Sequence, residues 1–233
     1  MSYRLITLIV AVCLACTLSG PALAQHAGDI LLEVESGKIV TGLIDEDSGT
    51  VTTGVRVFES EFGEIFPNFT DEPGFDNDPG TFPFPSNIGF NILDSLRKWD
   101  GSDFDAIPTE QVSIGFGPLT PVATPLAPAI VPGFTLPVAA TGDWHRHLEY
   151  TLTGAASTGI YLLTLELFSD ASGIDKSDPF FLVFNQNDTE ENHEAAAEYV
   201  ETNIVPEPAS WVLGLTCVVC LELHRLLRRR AKP

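Results

Sequence analysis

Apolar side chains recur at every second residue in short runs, and each run is closed by glycine, proline, serine or aspartate. Neighbouring side chains of an extended chain point to opposite faces, whereas a helix repeats its apolar positions at three and four residues. The pattern therefore predicts strands. Ile30 to Glu35 and Lys38 to Leu43 flank Ser36-Gly37, a hairpin signal, and Val51 to Glu59 reads as a further strand. Gln111 to Phe116, Trp144 to Leu152, Gly159 to Phe168 and Pro179 to Phe184 follow. The run Phe180-Phe181-Leu182-Val183-Phe184 is apolar at every position, as expected of a strand covered on both faces.

Three segments depart from that pattern. Residues 62–86 are rich in Phe, Pro, Gly and Asp and read as a long ordered loop, pinned by Phe66, Phe69, Phe75, Phe82 and Phe84. Ile88 to Trp99 fits either period and is assigned to a strand because its surroundings are β. Pro118, Pro121, Pro125, Pro128, Pro132 and Pro137 crowd residues 117–138, which predicts an edge strand or crossover. Glu190 to Val200, rich in Ala and Glu after Asp188-Thr189, reads as one short capped helix. Together these features predict an all-β fold, an antiparallel β-sandwich of jelly-roll kind with one short C-terminal helix.

The two ends of the chain differ from the body. Arg4, the apolar stretch Leu5 to Leu18 and Ala22-Leu23-Ala24 form the three parts of a signal peptide spanning 1–24, with cleavage by signal peptidase after Ala24. At the other end, Val205-Pro206-Glu207-Pro208 leads into an apolar run to Leu221, then Arg225, Arg228, Arg229, Arg230 and Lys232. This order resembles the PEP-CTERM sorting domain of Gram-negative bacteria over residues 204–233. The resemblance implies recognition at Pro206-Glu207-Pro208 by an exosortase-type membrane protease. It also implies delivery to the cell envelope or extracellular matrix, where exopolysaccharide is a possible partner. The apolar run from Ala209 to Leu221 would span roughly 20 Å as a helix, short of a ~30 Å hydrocarbon core. A short transmembrane helix held by a cytoplasmic arginine stop suits a transient inner-membrane anchor.

Between the ends, residues 25–203 form one domain's length. Cys13, Cys16, Cys217 and Cys220 all lie in the ends, so the body has no disulfide, thiolate ligand or cysteine nucleophile. Six basic residues (Lys38, Arg56, Arg97, Lys98, Arg146 and Lys176) face thirty acidic ones up to Val205, a net charge near −24. Such a surface repels nucleic acid and attracts cations.

The histidines give that attraction a place. In Trp144-His145-Arg146-His147-Leu148-Glu149-Tyr150, an extended chain puts His145, His147 and Glu149 on one face and Leu148 and Tyr150 on the other. Imidazoles two residues apart stand ~6.6 Å apart at the Cα and can converge on one ion, zinc or copper, while Glu149 is too far along to close the set. Further ligands must come from elsewhere, and His26 and His193 are the candidates. A second expectation is calcium in the loop Asp71 to Gly80, through Asp71, Asp76 and Asp78, although it lacks EF-hand spacing.

The run Gly89 to Gly101, the His-x-His strand, Gly159 to Leu163 and Ser177 to Asn185 also resemble a set of PEP-CTERM proteins. One branch of that set, in cyanobacteria, is controlled by the zinc-uptake repressor, which implies an exported protein made when zinc is scarce. Catalytic signatures such as Gly-x-Ser-x-Gly, a Walker loop or His-Glu-x-x-His are absent, so an enzyme is not expected. The alternative to metal binding is a glycan-binding or structural matrix protein, with Trp99, Trp144 and Tyr150 as stacking platforms.

Overall fold

A computed structural model describes residues 28–45 and 48–205. The expected signal peptide with Ala24, the candidate ligand His26, and the expected sorting tail with Pro206, Glu207, Pro208 and its arginines lie outside the described residues. Within them the chain is mostly β, with one short α-helix. No described helix is long and apolar enough to cross a membrane.

The N-terminal hairpin forms as predicted. Strand β1 (Ile30–Glu35) pairs antiparallel with β2 (Lys38–Asp45) through a turn in which Ser36 and Gly37 both take positive φ, 52° and 81°. The predicted strand Val51 to Glu59 is two strands in different sheets. β3 (Thr50–Thr53) continues the first sheet beside β2. Gly54 then turns the chain at φ +81°, its amide donating to the Thr41 carbonyl. β4 (Val57–Glu61) leaves for the opposite sheet, where it lies parallel to β14 (Phe180–Gln186).

Residues 62–86 contain two short strands, β5 (Phe69–Thr70) and β6 (Phe75–Asp76). Phe75 and Phe82 are buried anchors, but Phe66 and Phe84 point to solvent, contrary to expectation. β7 (Asn87–Ile92) and β8 (Arg97–Lys98) settle the ambiguous segment as strand. The proline-rich stretch supplies β10 (Val122–Ala123) and β11 (Val131–Pro137), each at the edge of its sheet, where a missing N–H is tolerated.

The remaining strands are β9 (Gln111–Gly115), β12 (Glu149–Thr153) and β13 (Gly159–Ser169). Three sheets result: β3-β2-β1-β6, β10-β9-β12-β5 and β11-β7-β13-β14-β4, with β8 also on β13. Most pairings are antiparallel, but β1–β6 and β14–β4 are parallel. One apolar core draws on all three sheets, with Tyr161, Leu163, Leu165 and Leu167 from β13 and Phe180, Leu182 and Phe184 from β14. The alternate residues Ile160, Leu162, Phe181 and Val183 face a second cluster with Ala196, Ala197 and Val200. The two-faced burial expected of β14 is thus observed, and α1 (Glu190–Tyr199) covers its outer face. Thr189 caps that helix by accepting from the Asn192 amide at 3.3 Å.

Candidate metal centre at His145 and His147

The predicted strand over Trp144 to Leu152 begins only at Glu149. The histidine segment before it is extended and joins its neighbour through a single antiparallel bridge, Phe75 to Arg146. Two backbone bonds make that bridge: Phe75 N–H donates to the Arg146 carbonyl at 2.8 Å, and Arg146 N–H to the Phe75 carbonyl at 2.9 Å. On the far side of Phe75, Ile30 N–H donates to the Gly74 carbonyl at 2.8 Å, and Ile30 is in parallel register with Phe75. Three extended segments thus lie side by side. Ile30, Phe75, Trp144 and Leu148 are buried, so the alternate residues Asp29, Gly74, Asp76, His145 and His147 share the outer face.

The rings do converge. His145 Nε2 lies 3.0 Å from His147 Nε2. Asp29 answers both, with Oδ2 3.4 Å from His145 Nε2 and Oδ1 3.7 Å from His147 Nε2. An ion bound tetrahedrally with 2.0–2.1 Å bonds sets its ligand atoms about 3.3–3.4 Å apart. The three side chains hold nearly that spacing before any ion is considered. Without one, the two rings share a single N–H···N hydrogen bond, so at least one ring is a donor through Nε2.

The outer nitrogens are held as well. His147 Nδ1 is 3.3 Å from the Asp71 carbonyl, which only accepts, so the proton sits on Nδ1 and the Nε2 lone pair turns inward. The same Nδ1 is 3.4 Å from Glu72 Oε1, and His145 Nδ1 faces Asp76 Oδ1 at 3.7 Å. Carboxylates or carbonyls behind imidazoles fix the ring tautomer in metal sites. Burial pushes the Glu72 carboxyl above its ordinary range, while the Gly74 amide and His147 pull it back. Beneath the site the Tyr150 hydroxyl is fully buried without a hydrogen-bond partner, and its pKa is raised by that burial and by Glu72.

Gly74 is the floor. A Cβ there would stand 2.5 Å from Asp29 Oδ1 and 2.7 Å from His147 Cε1, so glycine leaves the ends of both side chains room on the shared face.

Glu149, expected to lie too far along to join the set, is exposed and outside the cluster. Other predicted ligands go elsewhere. His193 is buried with Glu61 and Glu190 rather than with His145 and His147, which corrects its assignment to this site. Asp71, Asp76 and Asp78 form no common cluster among the described residues, so the expected calcium loop is not assembled. The backbone explains why: Asp76 turns toward His145, Asp71 offers its carbonyl to His147, and Asp78 uses its carbonyl on Asn77 and Thr81. That loop serves as the wall of the histidine site. Asp29 was missed because nothing in its local sequence announces the parallel β1–β6 pairing that carries it there. The glycan platform is also corrected: Trp144 and Tyr150 are buried, and Trp99 packs on Phe104 and Tyr199.

Neither a protein-family model, nor a curated protein, nor a solved structure matches this chain.

Proposed function

We propose that this is an exported protein, sorted to the cell envelope or matrix by its PEP-CTERM-type tail, that binds a divalent, zinc-like ion through His145, His147 and Asp29. One observation carries the reading: two imidazole nitrogens 3.0 Å apart, straddled by one carboxylate, on a shared outer face. Two nitrogens and a carboxylate oxygen suit Zn²⁺, and Cu²⁺ next, better than a hard ion that takes oxygen alone. The site opens to solvent at His145, as capture from outside the cell requires. We read the body as a sandwich of jelly-roll kind, supported by the single core shared among three sheets and by the proline-rich crossover to β11. The role is binding rather than catalysis, in keeping with the absence of any nucleophile motif.

The test is the zinc content of the natively exported protein, measured without added metal, followed by titration of the full chain and of a His145→Ala/His147→Ala variant. The variant is expected to lose one equivalent. Equal stoichiometry and affinity in both would end the reading.

A further inference from the structure

A second histidine cluster lies on the opposite side of the β14 sheet. In β4, Phe58 belongs to the main core while Val57 packs into the cluster under the helix, so Glu59 and Glu61 share the helix side with Val57. In α1, Glu190 and His193 are three residues apart and therefore neighbours on one face. His193, Ala196 and Ala197 are its buried residues, and the two alanines let the helix lie close on Ile160, Leu162 and Val183. His193 is fully buried. Its Nε2 is 2.9 Å from the Val183 carbonyl, which only accepts, so Nε2 carries a proton. The other nitrogen, Nδ1, is buried with no hydrogen-bond partner and points toward Glu59 Oε2 at 3.6 Å. Glu61, Glu190 and His193 each bring a ligand atom within 4.8 Å of the others. Asn185 Nδ2 donates to Glu61 Oε1 at 3.4 Å and so helps fix that carboxylate.

A buried ring nitrogen with no hydrogen-bond partner, set beside carboxylates, is a donor set that a divalent ion would satisfy. The arrangement favours the ion. A backbone carbonyl already holds the far N–H, as it does for histidines that ligate metals, and more than one carboxylate surrounds a single ring. Glu190 is exposed, which gives an entry path. We propose that Glu61, Glu190 and His193 form a second divalent-metal site, with Glu59 beside it, for a first-row ion that accepts one nitrogen with carboxylate oxygen. The ion would clasp α1 to β4 just before the chain leaves for its sorting tail. This site stands on its own residues and does not depend on His145 or His147.

The probe is Zn²⁺, added to the full-length His145→Ala/His147→Ala variant so that the first site is silent. One equivalent is expected to remain, with a melting temperature that rises with free zinc and a shifted His193 Nδ1 resonance in ¹⁵N NMR. Adding Glu61→Gln and Glu190→Gln should weaken that binding at least tenfold. It should leave the metal-free melt nearly unchanged, because neither residue is buried. The proposal is overturned if the His145→Ala/His147→Ala protein takes up no zinc at micromolar concentration. It is equally overturned if the two glutamine changes leave uptake intact, or if the His193 Nδ1 resonance does not move as zinc is added. A first-site failure reads differently, as an unchanged stoichiometry on removing His145 and His147 alone.

Discussion

Gly74→Ala tests the histidine site without altering a ligand. The new methyl would arrive 2.5 Å from Asp29 Oδ1, 2.7 Å from His147 Cε1 and 2.8 Å from His147 Nδ1. Carbon contacts settle at about 3.5–4.0 Å, so something must retreat by about 1 Å. Residue 74 itself is held: its carbonyl accepts from Ile30, its amide donates to Glu72 Oε2 at 3.1 Å, and the next residue is the buried Phe75. The side-chain ends of Asp29 and His147 therefore move. Metal bonds tolerate errors of about 0.2 Å, so both ligands leave their working positions. By comparison with losses on disturbing ligand orientation, zinc affinity should fall about 10–100-fold, or ~1.4–2.8 kcal/mol. Gly74 has no left-handed backbone to strain, so the metal-free fold should change by no more than about 1 kcal/mol. The assay is competition with a chromophoric chelator, run in the Glu61→Gln/Glu190→Gln background so that only this ion is counted, beside thermal melts in chelator. Affinity within twofold of the parent, with an unchanged melt, would refute the placement of the ion between Asp29 and His147.

Other perturbations follow from the same contacts. Phe75→Ala removes the ring packed against Trp144 and Phe180, at centroid distances of 5.7 and 6.1 Å, and should cost about 3–5 kcal/mol in chemical denaturation while also weakening zinc binding; a stability loss with intact affinity would separate the site from its anchor. Tyr150→Phe deletes a buried hydroxyl that makes no hydrogen bond, so stability should hold or rise by up to about 1 kcal/mol; a clear loss in melting temperature would reveal a partner for that oxygen. The Ser157 hydroxyl, donating at 2.6 Å, holds the buried Glu110 carboxyl below its ordinary value of 4.5. Its stabilisation is present above that pH and fades as pH falls through the lowered value, so Glu110→Gln should cost about 1 kcal/mol at pH 7 and flatten the acid limb of a stability profile; parallel limbs for both proteins would contradict this.

How much of this was legible in the sequence depended on range. The Ser36-Gly37 hairpin, the two-faced β14, the edge position of the prolines and the Thr189-capped helix follow from residues within a few positions of one another, and all appear. His145 and His147 were legible for the same reason, since alternation alone puts them on one face. The break at Gly54 was hidden because Val51 to Glu59 keeps its alternation through a turn that only positive φ discloses. Asp29 and Gly74 were hidden more deeply. Their roles arise from a parallel pairing across some forty residues and a bridge across seventy more, and no local pattern encodes either register. His193 was visible as a candidate, but its company was not, because the face of α1 that meets β4 is chosen by Ala196 and Ala197 packing on the sheet.

The two histidine clusters share a physical logic that the acidic composition makes necessary. The lysine and arginine ion pairs, Lys38–Asp178, Arg97–Asp94 and Lys176–Glu166, involve none of Asp29, Glu72 or Asp76. At the first site the side chains that those carboxylates face, among the described residues, are the imidazoles of His145 and His147. In both clusters a backbone carbonyl, of Asp71 or of Val183, fixes a proton on one ring nitrogen and turns the other toward carboxylate. A ring so arranged offers one nitrogen lone pair beside carboxylate oxygen. A body with no cysteine has only such nitrogens and its surplus of carboxylates with which to hold a transition ion. On the proposed reading, the acidity would supply the oxygen ligands at the two places where the described residues carry buried or clustered histidines.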